Sequence, residues 1–234
     1  MKKFFTIFVV ALLVTLLLCC CQSNENTQSE IATDNIESTT VQNQAEEVLD
    51  IENLKENEFR ISDLPGKITV SDSYNVYSLD NEYTDEMCAE QSVEPDRMKL
   101  YLDTQKEYGG INMFIIPKSN PIATTDFQIQ IKVKSEKDYG IDNFAELSSS
   151  DFSMYKEALM QSFETSLNTE LTSTVYENKS KKWIVFDCYM TDHQTRYATI
   201  LNGKMIYVIG KSTIGPLTDT QKNEITQIID SLKF

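Results

Sequence analysis

The side chains best suited to catalysis are scarce in this sequence, beginning with histidine. The one histidine of the chain, His193, falls in a short segment, residues 191–194, that is predicted to connect two strands. A single histidine excludes zinc sites built on two histidines, and a hydrolase that used it would need a neighbouring nucleophile. Neither a Gly-x-Ser-x-Gly sequence nor a cysteine-hydrolase signature accompanies it. We therefore predict that His193 is a polar turn residue and that the chain has no catalytic residues, metal site or cofactor.

Carboxylates are abundant, and a pair of them could perform acid–base catalysis in a hydrolase. The sequence holds 36 Asp and Glu residues, so pairs arise by chance and a solvated acidic surface is the expected outcome. The densest run, Asp80–Glu86, also suggests calcium, but it lacks the central glycine and the distal glutamate of an EF-hand loop. The run is predicted to begin a helix, where the helix dipole favours acidic side chains.

A basic cluster, Lys179, Lys181 and Lys182, interrupts this acidic background. Its position between two predicted strands favours a hairpin tip, and contact with an acidic partner or a wall polymer is the functional alternative. Tyrosines could also supply a binding surface, since they are enriched in binding hot spots, although strand preference accounts for most of them. The ligand-binding residues therefore stay unassigned.

The chain opens with a segment typical of exported proteins. Lys2 and Lys3 precede a run, residues 4–18, that is apolar apart from two threonines, as in the charged and hydrophobic regions of a signal peptide. The run is shorter than the roughly 20 residues that a membrane-spanning helix needs. Residues 1–20 are therefore predicted to be a cleaved signal peptide.

Three adjoining cysteines follow the apolar run. Cys21 has Leu18 three residues before it and small residues between, which resembles the lipobox of bacterial lipoproteins, whose cysteine is lipidated and becomes the first residue. Cys20, with Leu17 before it, is the alternative site, and a plain signal peptide or short anchor with incidental cysteines is the competing interpretation. The lipobox implies a diacylglyceryl group, and its two acyl chains suffice where one chain binds a membrane only marginally. The resemblance predicts a lipoprotein on the extracytoplasmic face of the cell membrane, with the bilayer as its partner.

The charge of the chain limits its other partners. Formal net charge is −15, and loss of Lys2 and Lys3 with the signal peptide makes it −17. Such an excess of acid argues against nucleic-acid binding, which depends on phosphate neutralisation, and against docking on anionic lipid head groups. Lysine far outnumbers arginine, which favours a Gram-positive source.

Two further cysteines, Cys88 and Cys188, lie in the body of the chain. Outside the cytoplasm they could form one disulfide. They could equally be small buried apolar residues, and Cys188 alternates with Ile184, Phe186 and Met190 as a core residue would. Both possibilities stay open, and the second is slightly favoured.

The composition changes abruptly near residue 58. Residues 22–57 contain no aromatic residue, glycine or proline, and such a segment cannot bury enough apolar surface to offset its conformational entropy. We predict that residues 21–57, which begin with the lipidated cysteine, form an acidic disordered tether, with a short frayed helix possible from Val41. Residues 58–234 are predicted to form one domain with a sizeable core.

Alternation and capping patterns predict the elements of this domain. Strand Phe127–Lys134 alternates cleanly between apolar and polar residues, Asn202-Gly203 predicts a tight hairpin, and Thr218 with Gln221 predicts a helix-capping box. Strands are predicted at 59–61, 67–70, 75–79, 111–116, 127–134, 171–176, 182–190, 195–201 and 204–210, and helices at 84–91, from Pro95 to Gly109, from Ser150 or Asp151 to about 164, and after Thr218. Several strands are apolar on both sides, so the sheet needs cover on both faces. The predicted fold class is α+β, an antiparallel sheet flanked by helices on both faces.

This order of elements resembles the PsbP-like fold. The resemblance rests on the Leu64-Pro65-Gly66 turn, strand 127–134 followed by a helix from Asp151, the Asn202-Gly203 hairpin and the C-terminal helix. It covers residues 58–234, and the helical stretch 83–105 departs from the simplest form of that fold. It implies an α/β/α sandwich of the kind found in small lipoproteins of clostridia-like bacteria. The best-known relatives are non-enzymatic accessory subunits, such as the extrinsic protein of the photosynthetic oxygen-evolving complex, and the resemblance transfers no functional residue.

The sequence therefore predicts a function without naming a ligand. The expectation is a lipid-anchored, non-catalytic binding or accessory module of the cell envelope, with a possible envelope protein as partner. The alternatives are an envelope hydrolase that uses paired carboxylates and a small solute-binding lipoprotein.

Overall fold

The structure, a computed structural model, describes residues 53–234 except 119, 123–124, 135–138 and 179–180. The predicted signal peptide, Cys20 and Cys21 lie outside the described residues, as does the tether up to residue 52. Within the described part of the chain, no helix is both long enough and apolar enough to span a membrane.

Nine strands and four helices make up the described chain. In chain order they are β1 (Glu58–Arg60), β2 (Lys67–Thr69), β3 (Tyr74–Ser78), α1 (Asp85–Glu90), α2 (Pro95–Gly109), β4 (Ile111–Pro117), β5 (Phe127–Lys134), a 3₁₀ turn (Phe144–Glu146), α3 (Ser149–Leu167), β6 (Ser173–Asn178), β7 (Lys181–Tyr189), β8 (His193–Leu201), β9 (Lys204–Ser212) and α4 (Asp219–Ser231).

Seven of the strands form one antiparallel sheet. Its order is β3-β4-β5-β9-β8-β7-β6, while β1 and β2 pair separately as a hairpin. The predicted meander of β6 to β9 is present, and its last turn holds Asn202 and Gly203 at φ angles of 49° and 72°, the left-handed geometry that the Asn-Gly pair favours. Strands β5 and β9 are central, so their side chains lie on the middle of both sheet faces.

One face of the sheet, which we call the hairpin face, is covered by α4 and by the β1–β2 hairpin. Ile129 and Ile131 of β5 and Val208 of β9 are buried there with Ile225 and Ile229 of α4. Helix α4 begins with the predicted capping box, in which Thr218 and Gln221 bond each other's main-chain N–H groups. The box fixes where the helix starts, and its apolar stripe then meets the sheet.

The opposite face, which we call the helical face, is covered in two places. Near β3 and β4 it packs against α1 and α2, with Phe114 against Met98 and Leu102. Near β7 to β9 it packs against α3, where the rings of Phe163 and Phe186 lie 4.9 Å apart. The sheet thus has helices on both faces, and the predicted α+β fold class is confirmed.

Several elements begin one or two residues away from where the sequence predicts, and for α3 and β8 the difference changes the role of a named residue. Helix α3 is capped by Ser148, whose Oγ accepts from the Asp151 N–H at 3.1 Å, and not by Ser150 or Asp151. Its hydroxyl also donates to the Asp151 carboxylate at 2.6 Å, so Asp151 serves the cap from the third helical position. His193 is the first residue of β8, paired with Tyr189, so the turn residue that the sequence predicts is in fact part of the strand.

A buried asparagine ties the β1–β2 hairpin to the sheet. Asn112 sits at an irregularity in the β4–β5 pairing, between Ile111 and Met113. Its amide donates to the Asp63 carboxylate at 2.9 Å, and its oxygen accepts from the Val133 N–H at 2.7 Å. One side chain therefore satisfies the main chain of β5 and also fixes the hairpin loop beside it.

Candidate functional site

The surroundings of the single histidine are those of a residue that stabilises the sheet. His193 is partly buried and its ring lies 4.9 Å from the ring of Tyr189, which is 62% exposed. The hydrogen bonds of the described residues include none from its side chain to a serine, cysteine or carboxylate. The pair is a cross-strand contact of the kind that stabilises sheets, and it gives no support for a nucleophile–base arrangement.

Cys88 and Cys188 are both free thiols in this structure, 1% and 8% exposed. Cys88 belongs to the cluster around α1 and α2, whereas Cys188 belongs to the cluster around α3. Burial raises the pKa of both thiols, which disfavours the reactive thiolate. The sequence leaves open either a disulfide or two buried small residues. In this structure the two cysteines are buried and unbonded.

The carboxylates of the described residues do not gather into a metal-binding group. No group of three or more His, Cys, Asp or Glu side chains there could hold a metal ion. In the acidic run 80–86, Thr84 caps α1 by accepting from the Met87 N–H, and Asp85 and Glu86 lie in the first turn. The acidic run is thus the start of a helix.

Another carboxylate, Glu58 in β1, has a structural partner. A hydrogen bond from Lys67 lowers the pKa of Glu58.

The basic cluster predicted from the sequence lies at the start of β7, and its two described lysines point in different directions. Residues 179 and 180 lie outside the described residues, and Lys181 and Lys182 are the first two residues of β7. Lys181 donates to the Leu232 carbonyl after α4, whereas Lys182 lies 4.2 Å from the ring centre of Phe152 in α3. Neighbouring strand residues point to opposite faces, so these two lysines make no common surface.

A different set of polar residues comes together on the helical face, between the areas covered by α2 and α3. Residues paired across neighbouring strands lie on the same face. Gln130 pairs with Ile209, which pairs with Arg196, and Gln128 pairs with Lys211, which pairs with Gln194. Lys132 lies two residues beyond Gln130, so it shares that face. We call this set the basic row: Lys132, Arg196 and Lys211, with Gln128, Gln130 and Gln194.

Lys132 is the most deeply placed cation of the basic row. Its ammonium donates to the Gly109 carbonyl at 2.6 Å. Burial, followed by the positive charges of Arg196, Lys211 and Lys134, lowers the pKa of Lys132 to about 8. The local environment thus opposes its positive charge, and a carbonyl at the C-terminal end of a helix is its one hydrogen-bond partner among the described residues.

Arg196 lies beside Lys132 and stacks on α3. Its guanidinium carbon lies 4.9 Å from the ring centre of Phe163. Its Nε and Nη2 both donate to the Gln194 side-chain oxygen, at 2.9 and 2.7 Å, and Nη2 also contacts the Met190 sulfur at 3.1 Å. The Cys188 thiol is a further hydrogen-bond partner of Arg196. An amide, a thioether and a thiol hold the side chain in place, and none of them is an ionised carboxylate.

Lys211 is the third cation of the basic row and the one that forms an ion pair with a carboxylate. Its ammonium lies 2.8 Å from an Asp192 oxygen, with side-chain exposures of 21% and 11%. Burial raises the pKa of Asp192, but hydrogen bonds from Lys211 and Gln194 outweigh this and hold the pKa below its usual value. Asp192 is therefore ionised and committed to Lys211.

The row carries an uncompensated positive charge in an acidic protein. Its three cations face one carboxylate, which leaves a charge of +2, and neither Lys132 nor Arg196 forms an ion pair among the described residues. All three cations are partly exposed, and the charges of Arg196 and Lys211 lie close enough to Lys132 to lower its pKa. Such an arrangement can bind an anion.

Comparison with solved structures finds a similar fold. The solution structure of cyanobacterial PsbP (CyanoP) from Synechocystis sp. PCC 6803 is similar to this chain, with a TM-score of 0.42 and 8% sequence identity, over 75% of this chain and 90% of that chain. No family model and no curated protein matches the sequence. The similarity is one of fold, and it assigns neither a ligand nor a partner to this chain.

The sequence contains one visible trace of the basic row. The polar side of β5, which holds Gln128, Gln130, Lys132 and Lys134, is already apparent from the alternation of that strand. Arg196 and Lys211 come from β8 and β9, more than 60 residues away in the chain. Only the pairing of β5 with β9 places them beside Lys132, and no local sequence pattern encodes that pairing.

Proposed function

We propose that this protein is a non-catalytic binding module, attached by lipid to the extracytoplasmic face of the cell membrane. The observation that carries the proposal is the basic row, a cluster of partly exposed cations with a net charge of +2. Like charges held together destabilise a fold, and a bound ligand of opposite charge offsets that cost. A surface of this kind is suited to recognition.

The anchor supports the location and rests on the sequence. The leader of residues 1–20, with Leu18 before Cys21, has the form of a lipoprotein signal. A diacylglyceryl group on Cys21, or on Cys20, would hold the mature chain at the bilayer. The acidic residues 22–57 would then separate the domain from the membrane, since a coil of that length spans on the order of 30–35 Å.

The proposal is tested by anchoring and by covalent crosslinking in native cells. The wild type is compared with Cys20→Ala and Cys21→Ala variants, singly and together. Membrane fractionation and mass spectrometry of the N-terminal peptide report the lipid, and crosslinked partners are identified by mass spectrometry.

We expect the wild type to be membrane-bound with a lipidated N-terminal cysteine, and the double variant to lose both the lipid and its membrane retention. A partner crosslinked by the anchored wild type and lost from the double variant would identify the assembly. An unmodified, unprocessed N-terminus on a membrane-bound wild type would refute the anchor. Absence of any partner at all expression levels would refute an accessory role.

A further inference from the structure

We propose that the basic row is a binding site for a small phosphate-type oxyanion, carried either by a soluble phosphate ester or by the head group of a phosphate-containing lipid. The inference rests on the proposed function as a binding module and names the ligand class of that same surface. It is carried by three cations, Lys132, Arg196 and Lys211, which the β5–β9–β8 register places on one sheet face.

The charge of the row selects the charge of the ligand. Three cations and the Asp192 carboxylate leave +2, which a phosphate monoester dianion matches and a single carboxylate does not. The rest of the domain selects against a polyanion. Of the −15 of the chain, residues 1–21 contribute +2 and residues 22–57 contribute −8, so residues 58–234 carry −9. A long nucleic acid or polyanionic polymer would meet repulsion outside the row.

The donors of the row also suit an oxyanion. Arg196 is oriented by Gln194 and by the ring of Phe163, and it has no carboxylate partner among the described residues. A guanidinium is the side chain best matched to a phosphate oxygen, and a lysine ammonium adds a point charge. Gln130 lies two residues before Lys132 on the same face and is 4% exposed, and Ile209, 1% exposed, separates it from Arg196, so the base of the site is shielded from solvent and holds one buried amide.

Partial burial strengthens these interactions. Charges in a low-dielectric environment interact more strongly than in water, and hydrogen bonds to ionised groups are the strong ones. Lys132 lies among positive neighbours that lower its pKa, so an arriving anion would restore its preference for the charged form. The repulsion among the cations of the row therefore contributes to the binding of an anion.

The test is calorimetric titration of the full lipidated chain, purified in neutral detergent at low salt, with inorganic phosphate as the probe. Acetate is titrated in parallel as a monoanion. The variants are Lys132→Gln, Lys211→Gln, Arg196→Gln and Arg196→Lys, each checked for an unchanged thermal unfolding profile. Lys222→Gln is the matched control, because Lys222 pairs with Asp187 at 2.9 Å outside the row.

We expect saturable phosphate binding that is tighter than acetate binding. Each glutamine variant should weaken it by about tenfold or more, as for loss of one charge-assisted hydrogen bond. Arg196→Lys should lose less than Arg196→Gln, and Lys222→Gln should bind as the wild type does. If Arg196→Gln does not fold, the two lysine variants carry the same comparison.

The source of the oxyanion is distinguished by adding phosphatidic acid, whose head group is a phosphate monoester, to the micelles. Weaker apparent phosphate affinity in its presence assigns the site to a lipid head group, and unchanged affinity assigns it to a soluble phosphate ester. Absence of saturable binding up to tens of millimolar phosphate, or equal losses in Lys222→Gln and the row variants, would overturn the inference. A partner crosslinked by a chain that binds no phosphate would leave the proposed binding module standing and refute the oxyanion site alone.

Discussion

The ammonium of Lys132 donates a 2.6 Å hydrogen bond to the carbonyl of Gly109, the last residue of α2. A helix ends in unpaired carbonyl groups with partial negative charge, and a cation there is favourable. The bond therefore joins the central strand β5 to the end of α2. It also means that removal of Lys132 has two opposite effects, loss of this contact and relief of repulsion from the other cations of the row.

The pH dependence of the free energy of unfolding reports how strongly the surroundings of Lys132 oppose its positive charge. Because the pKa of Lys132 is lowered from 10.5 to about 8, the folded chain binds fewer protons than the unfolded chain between those pH values. The free energy of unfolding of the wild type should then rise with pH across this window, relative to Lys132→Met. Urea unfolding at pH 7.5, 9 and 10.5 measures the difference. Lys132→Arg stays charged throughout and should show no such rise, and parallel curves for the wild type and Lys132→Met would contradict the expectation.

The stacking of Arg196 on Phe163 should be measurable as a coupling energy. A guanidinium over an aromatic ring is worth about 0.5–2 kcal/mol, depending on its exposure. In a double-mutant cycle of Phe163→Leu and Arg196→Met, followed by urea unfolding, we expect a coupling in that range. Phe163 also packs on Phe186 and Tyr207, so Phe163→Leu alone should cost more than the coupling. A coupling energy of zero would show that the ring of Phe163 does not orient Arg196.

Local chemistry accounts for the parts of the fold that the sequence predicts well. Asn202-Gly203 specifies its turn by backbone geometry, Thr218 and Gln221 specify a helix start by mutual hydrogen bonds, and the alternation of Phe127–Lys134 gives that strand its exact bounds. Each signal acts within a few residues. Ser148–Ser150 gives the same signal three times in succession, and only the Asp151 contact decides which serine caps α3.

The candidate site is non-local, and this is why the sequence does not reveal it. Lys132, Arg196 and Lys211 lie in three strands, and their proximity depends on β9 pairing with both β5 and β8. Shifting either pairing by one residue would turn one set of side chains to the opposite face. The cluster that is local in sequence, Lys179 to Lys182, has its two described members, Lys181 and Lys182, directed to opposite sides of the sheet.

The two body cysteines should behave as free, protected thiols. Because burial raises the pKa of Cys88 and Cys188, iodoacetamide should modify neither in the folded protein at pH 8, and both after unfolding without a reductant. Mass spectrometry of the peptides reports each thiol. A reducing agent should leave the unfolding temperature unchanged. A fall in that temperature, or peptides that become modified only after reduction, would show a disulfide.

The approach of α4 to the sheet should make Gly210 intolerant of a side chain. A Cβ added there would lie 2.3 Å from Ile225 Cδ1 and 2.5 Å from Leu217 Cδ2, distances that force the helix or its side chains to move. Overpacking of a core typically costs about 1–3 kcal/mol, so Gly210→Ala should lower the free energy of unfolding by that amount.

Gly109→Ala is the matched control for this substitution. Its added Cβ would meet nothing closer than 3.4 Å, and alanine is favoured over glycine in a helix by up to about 1 kcal/mol. The control should therefore be neutral or slightly stabilising in urea unfolding. Equal stability of the two variants would mean that α4 does not pack against β9 at this distance. Because Ile225 and Leu217 both belong to the core of the hairpin face, that result would also remove the cover of this face on which the two-sided fold depends.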